Sequence, residues 1–448
     1  MSPTSLRTLL LCLGWITIIS FTGITAQSPP DTPEEALVAT ALEHNPGLRA
    51  QRQKIEAMTL VPVQARALPD PTAELELMNF EIPYFKPWDA FSSMINLNYS
   101  QSIPAAGKRR AAGEEARREV EMEESRLAVM ESELRGQILA AVYRLATVER
   151  LLKIKDEIQQ ALEASAQTAA AAYSVGRGNQ ADVLLAQAEI TRIPIERQDL
   201  FKQREVALAQ LDSLLGETAD RELLSRIQLP DPAPLPPLDG LMKNLEEKAP
   251  EIRMARTGEY VQEGRVEVAK KNFKPDWMLG AGVRIRDMSM RGGTFLTFRL
   301  GFSLPFMHHR DRYVPALEEA LRMQDSTQSE TRQTVVSSRY KLVAAYESAA
   351  RSLRTYELYR DGLLLQSRLA YESTLAAYSA QKADFNALIQ TLTGFYQNQS
   401  DQLLAQGDYQ EARAMMEVIL GQPVLAAIDP ENPKPPGIAD EPIRDHKE

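Results

Sequence analysis

The residues best suited to metal binding are two adjacent histidines, His308 and His309, which follow Met307. Imidazole and thioether groups are ligands for copper and related ions. A metal site needs ligands that converge on one point, and neighbouring side chains at the start of a helix point apart. Met288 and Met290 lie in a turn between two predicted strands and are interpreted as loop residues. We therefore predict no metal site.

Motifs for catalysis or nucleotide binding are missing from the sequence. It has no phosphate-binding loop, no His-Glu-x-x-His motif and no nucleophile elbow. Gly280-Ala281-Gly282 lies inside a predicted strand, where glycine indicates close backbone packing. The net charge of -10 does not favour phosphate binding. We predict a protein that is not an enzyme, has no cofactor and has no nucleic-acid partner.

The N-terminus has the features of an export signal. Arg7 supplies a positive charge, and Leu9–Ile19 is an apolar stretch that is too short to span a membrane. Residues 1–26 are predicted to be a signal peptide, and the alternative is a buried N-terminal helix. The single cysteine, Cys12, lies in this stretch, and lipid attachment there would require a small residue in place of Leu11.

The chain repeats one plan twice, and such repeats define the architecture of a protein. The matching segments are 44–50 with 248–254, 102–104 with 303–305, 171–174 with 376–379, and 214–216 with 419–421. Subtraction of the first numbers gives offsets of 204, 201, 205 and 205, in one order. We predict repeats at 27–228 and 238–421, joined by a proline-rich linker at 229–237 and followed by a disordered tail at 422–448.

Four segments alternate between apolar and polar residues, which predicts strands with two unlike faces. They lie at about 72–81, 91–101, 277–286 and 294–303. The residues predicted to face lipid in the last strand are Leu296, Phe298, Leu300 and Phe302. This pattern suits an outer-membrane barrel or a half-buried soluble sheet. Four strands cannot close a barrel, so a barrel would need several chains.

Apolar residues spaced three or four positions apart predict a long helix and a return helix in each repeat. These helical hairpins are predicted at about 105–216 and 310–421. A helix from Ala105 to Tyr173 would be on the order of 100 Å long. Two glycines in the turn Ser174–Asn179 permit the positive φ values of a helical hairpin. The predicted fold class is mainly α with a small β part.

This plan resembles the TolC-like outer-membrane efflux family over roughly residues 34–421. The matching motifs are Asn45-Pro46, Leu68–Pro71, Ser102–Pro104 followed by Gly107–Arg109, and Ala172–Gly176 followed by Asp182–Gln187. Within the family, Ser-Ile-Pro with a following Gly-Lys-Arg is most similar to the metal-efflux branch.

The resemblance implies a homotrimer in which the strands of three chains form one transmembrane β-barrel in the outer membrane. The helices would form a periplasmic tube, and an inner-membrane pump would supply the energy. The hairpin tips would dock a periplasmic adaptor protein. The tip residues that this implies are Tyr173, Ser174, Val175, Gly176, Arg177, Gly178, Tyr378, Lys382 and Asp384.

The second tip departs from the family pattern. Ala380–Ala383 stands where the first repeat has its glycine-containing turn. Only Asp384 follows it, with Ala387 and Gln390 in later turns, so a gate made of carboxylate rings is not expected. Lys382 and Asp384 are interpreted either as inter-subunit pairs or as solvated charges.

The predicted function is the outer-membrane exit duct of a tripartite efflux pump. Such a duct would passively conduct small solutes, either metal ions or organic compounds, to the exterior. One alternative is a type I protein-secretion duct with the same architecture. Another is a periplasmic coiled-coil scaffold without a pore, and the alternating strands at matching places in both repeats argue against it.

Overall fold

The computed structural model describes residues 32–79, 93–286 and 293–424. The predicted signal peptide, Met288, Met290 and residues 425–448 lie outside the described residues. The described strands are β1 (Thr72–Met78), β2 (Met94–Ile103), β3 (Trp277–Arg286) and β4 (Thr294–Phe302). The described helices are α1 (Pro33–His44), α2 (Pro46–Met58), α3 (Val61–Arg66), α4 (Lys108–Ser174), α5 (Gln180–Leu215), α6 (Arg221–Ser225), α7 (Leu238–Lys248), α8 (Pro250–Lys271), α9 (Val314–Leu358), α10 (Leu364–Ser379) and α11 (Phe385–Leu420).

The short helices begin where the sequence supplies caps. Thr32 accepts a hydrogen bond from the Glu35 amide, and Pro33 occupies the first turn of α1. The Asn45 side chain caps α2 by accepting from the amides of Gly47 and Leu48 at 2.8 and 3.1 Å. The same side chain donates to the carbonyl at the end of α5, at 2.8 Å. One asparagine thereby starts α2 and fastens it to the return helix.

The repeat seen in the sequence is also a repeat of packing. Leu37 of α1 and Leu48 of α2 are buried, and so are their counterparts 204 residues later, Leu241 of α7 and Ile252 of α8. Each return helix ends at a glycine with positive φ. A Cβ at Gly216 would meet Pro46, and a Cβ at Gly421 would meet Pro250, at 2.7 and 2.5 Å. Both repeats therefore close in the same way.

The long helices differ between the two repeats. α4 runs without interruption for 67 residues, so it is on the order of 100 Å long. In the second repeat α9 and α10 are joined by a π-helical turn at Tyr359–Leu363, and another π turn, His309–Tyr313, precedes α9. α4 and α11 pack along each other around Ile138, Leu162 and Leu392. None of the described helices is both long and apolar enough to cross a lipid bilayer.

The proline-rich segment between the repeats lies along α11 as an extended strip. The side-chain Nε2 of Gln406 donates to the carbonyl of Pro230 at 3.0 Å, and Nε2 of Gln410 donates to the same carbonyl at 2.9 Å. The Tyr409 hydroxyl donates to the carbonyl of Ala233 at 2.5 Å. Since prolines cannot pair as a sheet does, side chains of α11 satisfy the carbonyls. The linker is therefore bound to the second repeat.

The chain stays ordered slightly beyond the predicted start of the tail at residue 422. Val424 is 1% exposed and packs in the cluster formed by α7, α8 and α11. Its amide donates to a carboxylate oxygen of Glu417 at 3.4 Å. The described fold therefore ends no earlier than Val424.

Candidate functional site

The four strands form one antiparallel sheet in the order β1-β2-β3-β4. Because side chains alternate between faces, directly opposed residues share a face. Two rows across the sheet are Leu75–Leu97–Val283–Leu296 and Ala73–Tyr99–Ala281–Phe298. A third pairs Leu279 with Leu300. One face of the sheet is therefore apolar across all four strands.

The apolar face is the exposed one. Phe298 is 84% exposed and Leu296 is 73% exposed, and Leu300 and Phe302 are exposed as well. The polar face is covered in its centre, since Asn96 is 3% exposed. A sheet of a water-soluble protein shows the opposite arrangement, with its apolar face inward. The four residues predicted to face lipid lie together on one continuous apolar surface.

Hydrogen bonds link the polar side chains across the strands. Arg284 Nε of β3 donates to Asn96 Oδ1 of β2 at 3.0 Å, and Asn96 Nδ2 donates to Glu76 Oε2 of β1 at 2.9 Å. The hydroxyls of Thr72 and Ser100 are 2.7 Å apart. This polar ladder was not identified from the sequence, although alternate Asn, Glu and Arg residues on paired strands are its signal.

Glycine lets the sheet pack closely around Asn98. A Cβ at Gly282 would lie 2.5 Å from Asn98 Oδ1 and 2.9 Å from Thr297 Oγ1. A Cβ at Gly280 would lie 3.1 Å from the carbonyl oxygen of Tyr99. These contacts agree with the packing role expected for Gly280-Ala281-Gly282.

One carboxylate fastens the sheet to the first long helix. Asp276, just before β3, accepts from the amide of Ala105 at 2.7 Å and forms an ion pair with Lys108 Nζ at 2.8 Å. Its own amide donates to the Ser303 hydroxyl at 2.8 Å. With its side chain and its backbone amide together, Asp276 therefore bridges the segment after β2, the start of α4 and the end of β4. Sequence reasoning did not identify this role of Asp276.

At the other end of the helices, the first hairpin turns at residues 173–178. The amide of Gly176, which has φ of 70°, donates to the Tyr173 carbonyl at 3.0 Å. The amide of Arg177 donates to the Ala172 carbonyl at 2.8 Å. Tyr173, Ser174, Val175, Gly176 and Arg177 are exposed, while Gly178 is half-buried.

The second hairpin makes the same turn without glycine. Gln381, with φ of 60°, takes the place of the glycine, and its amide donates to the Tyr378 carbonyl at 2.9 Å. The amide of Lys382 donates to the Ala377 carbonyl at 2.8 Å. The positions agree with the offset of 205, so the missing glycine changes the residue and leaves the turn intact.

Asp384 and Lys382 differ in their local surroundings. Asp384 Oδ1 accepts from the Ala387 amide at 2.6 Å and so caps α11, as Asn179 caps α5. Lys382 is exposed. Among the ion pairs of the described residues, none joins Lys382 to Asp384 within the chain. The cap gives Asp384 a structural role beside the predicted one.

The two tips lie side by side. Phe385, at the start of α11, is buried in a cluster that includes Leu162 of α4 and Ala186 of α5. Its ring centroid is 5.4 Å from that of Tyr378. Burial, and next the nearby Asp182 carboxylate, raise the pKa of the Tyr378 hydroxyl. One end of the helical bundle therefore presents both predicted tip segments together.

The histidine pair lies at the opposite end, where β4 meets the second long helix. His308 ends a short 3₁₀ turn and His309 begins the π turn that follows. The His309 ring packs edge-on against Phe273, with 5.3 Å between centroids. No cluster of three or more potential metal ligands is found within residues 32–79, 93–286 and 293–424.

Long helical hairpins in two repeats, carrying a sheet with an exposed apolar face, define the fold of an outer-membrane channel protomer. Residues 37–217, which include most of the first repeat, match the family model described as "Outer membrane efflux protein". This match and the fold agree with the resemblance to the TolC-like family of outer-membrane channels that the sequence motifs predicted. The matching family model and the similar solved structures describe outer-membrane efflux proteins and channels.

Three proteins illustrate the similarity. The cobalt-zinc-cadmium resistance protein CzcC of Cupriavidus metallidurans is 21% identical over 388 residues, covering 87% of this chain and 90% of CzcC. The outer-membrane channel OprN is 18% identical with a TM-score of 0.74, covering 87% of this chain and 90% of OprN. The open state of the MtrE channel of Neisseria gonorrhoeae is 17% identical with a TM-score of 0.72, covering 88% and 89%.

Proposed function

We propose that three copies of this chain form the exit duct of a tripartite efflux pump. Their strands make one barrel in the outer membrane, and their helices make a periplasmic tube that continues its lumen. The duct conducts small solutes passively, because its partner pump in the inner membrane supplies the energy. The tips at Tyr173–Gly178 and Tyr378–Asp384 dock the periplasmic adaptor.

The observation that carries this proposal is the exposed apolar face of the sheet. A row of large side chains such as Leu296 and Phe298 is stable in lipid and unfavourable in water. Among the described strands, β1 and β4 form the two open edges of the sheet. Open edges are excluded from a bilayer, so the sheets of several copies must join edge to edge. Three copies would supply twelve strands, within the range of known barrels.

The proposed cargo is a metal ion. Support comes from the name of CzcC, a cobalt-zinc-cadmium resistance protein that matches most of this chain. The tube itself would select cargo weakly, because a passive duct receives what its pump delivers. We therefore expect His308 and His309 to act in packing, and their replacement by alanine should leave metal tolerance unchanged. A loss of tolerance in the double variant would instead assign them to the transport path.

The facing of the sheet is tested by two arginine variants. Leu296→Arg and Phe298→Arg place charge on the lipid-facing side, which costs ~2–4 kcal/mol at the bilayer midplane. Each should reduce the amount of assembled protein in outer-membrane fractions. Gly301→Arg is the matched control, since Gly301 lies opposite the uncharged Met278 on the polar face and has room for a side chain. Equal assembly of all three variants would contradict the proposed facing.

Single-channel recording of the purified protein in planar bilayers tests the duct itself. We expect stable conductance steps from the trimer. A monomer that stays in solution without detergent and shows no conductance would favour the scaffold. The type I secretion duct would be favoured by a different set of results. The purified protein would conduct, while deletion of its gene would leave metal and drug tolerance unchanged and abolish the secretion of a protein.

A further inference from the structure

The open edges of the sheet carry information about how copies join. In each chain β2 pairs with β3, and this joint connects the two repeats. By the repeat, β2 corresponds to β4 and β3 corresponds to β1. Pairing of β4 of one copy with β1 of the next would therefore correspond to the pairing of β2 with β3 within one chain. The residue pairs of β2 and β3 are known.

The sequence matches give the shift for each strand. Ser102-Ile103-Pro104 corresponds to Ser303-Leu304-Pro305, an offset of 201. Pro69-Asp70 corresponds to Pro275-Asp276, an offset of 206. Ile103 lies opposite Trp277 in the intrachain joint. Applying both offsets places Leu304 opposite the partner's Pro71.

Continuing antiparallel from that pair fixes every other pair. Phe302 meets the partner's Ala73, and Leu300 meets the partner's Leu75. On the polar face, Arg299 meets the partner's Glu76. We infer that β4 of one copy and β1 of the next pair in this register, with Arg299 opposite Glu76 of the partner subunit. The inference rests on the proposed trimeric channel and adds the geometry of its seam.

Two features that were not used to derive the register agree with it. If the register were shifted by one residue, apolar side chains of one strand would lie beside polar side chains of the other on the same face of the sheet. The derived register instead continues both faces, with Phe302 and Leu300 on the same side as Ala73 and Leu75. It also sets opposite charges across the seam, which directly opposed strand residues favour.

The corner below the seam repeats as well. Within the chain Asp276 binds the Ala105 amide and Lys108. The same offsets bring the partner's Asp70 next to Phe306 and His309, which stand where Ala105 and Lys108 stand in the first repeat. Asp70, Phe306 and His309 are all exposed in the single chain, so this corner is free to receive a second copy.

Disulfide trapping tests the register. The chain has one cysteine, Cys12, in the predicted signal peptide, so introduced pairs are specific. The variant Arg299→Cys with Glu76→Cys should oxidise in membranes to a covalent trimer that reductant dissolves. Directly opposed residues have Cβ atoms within reach of a disulfide, whereas diagonal pairs do not. Each single-cysteine variant should remain unlinked.

Shifted pairs are the matched controls. Arg299→Cys with Glu74→Cys, and Arg299→Cys with Met78→Cys, report a slip of two residues in either direction. We expect about tenfold less cross-linking from them, because diagonal Cβ atoms are ~7–8 Å apart. Gly301 and Glu74 are also directly opposed in the inferred register. The variant Gly301→Cys with Glu74→Cys therefore replaces the first pair in the experiment if the first pair does not assemble.

The outcomes separate the seam from the function. Strongest linking by a shifted pair, or no linking by either in-register pair in a conducting protein, would overturn the register and leave the duct standing. A wild-type chain that is monomeric in membranes and does not conduct would overturn the proposed function and the seam together.

Discussion

Gln381 occupies the left-handed region at a helix end where the first repeat has Gly176. For a residue with a Cβ this conformation costs ~1–2 kcal/mol. The backbone hydrogen bonds of the turn and the Asp384 cap are retained around it. The turn is therefore set by the surrounding hairpin, and Gln381 accepts strain to fit it.

Gln381→Gly should stabilise the protein. The relief of ~1–2 kcal/mol exceeds the extra chain entropy of a glycine, ~0.5–1 kcal/mol, and leaves a gain of ~0.5–1 kcal/mol. The reciprocal variant Gly176→Gln should lose a similar amount, since a Cβ there meets open space and only the backbone is strained. Loss of helical circular dichroism on heating, in detergent, measures both. A lower melting temperature for Gln381→Gly would contradict this explanation.

The amino-acid sequence indicated only part of the tip. The glycines at 176 and 178 predicted the first turn, while Ala380–Ala383 suggested a departure in the second. The offset of 205 between Tyr173 and Tyr378 was the better guide, because it placed Gln381 on the Gly176 position. Local residue type was overruled there by the packing of Phe385 below the turn.

At the scale of elements, α4 and α11 are in tight contact at Gly136. A Cβ at this position would lie 1.9 Å from Val418 Cγ2 and 3.4 Å from the Ala414 carbonyl oxygen. A methyl group at this position would therefore require the Val418 side chain or the helix to shift. A similar contact exists farther along α11, where a Cβ at Gly407 would lie 2.5 Å from Thr147 Oγ1.

Gly136→Ala should destabilise the bundle by ~1–3 kcal/mol, the usual effect of overpacking. Gly394→Ala is the matched control, because no atom lies within 4 Å of its Cβ position, and it should gain ~1 kcal/mol from helix propensity. Adding Val418→Ala to Gly136→Ala should restore most of the loss. Thermal unfolding of the four proteins gives the comparison, and an absence of rescue would place the strain elsewhere.

The alternation of apolar and polar residues predicted where the strands lie better than it predicted the residues at which they end. β3 begins and ends at the predicted residues, whereas β2 extends to Ile103 because Trp277 pairs with it. Alternation identifies faces, but ends are set by a partner strand nearly 200 residues away. The ladder through Glu76, Asn96 and Arg284 and the bridge at Asp276 were missed for a related reason, because each includes one long-range contact. Arg284 and Asn96 are 188 residues apart, and Asp276 and Ala105 are 171 residues apart.

At the scale of the whole molecule, the proposed barrel turns its polar face inward. Charged residues of that face would line the lumen in three copies each. Glu74 is exposed on this face. It precedes Leu75, which pairs with Leu300 of the neighbouring copy in the inferred register. Its carboxylate should attract cations into the outer part of the duct.

Glu74→Lys should shift the reversal potential in a salt gradient toward anion selectivity, and Glu74→Gln should shift it about half as far. The shift should shrink at high ionic strength, because salt screens exposed charges. Recordings from planar bilayers provide the measurement. Identical reversal potentials for all three proteins would show that Glu74 lies outside the conduction path.

The π turn at Tyr359–Leu363 has no counterpart in α4, which runs unbroken. A π turn inserts an additional residue and rotates everything beyond it about the helix axis. The long helices that lead to the two tips of one chain are therefore not equivalent. In the proposed trimer the rim would alternate between two kinds of seat, three of each. An adaptor ring built from identical subunits would therefore meet the two kinds of seat in turn and would have to bind them in two alternating poses.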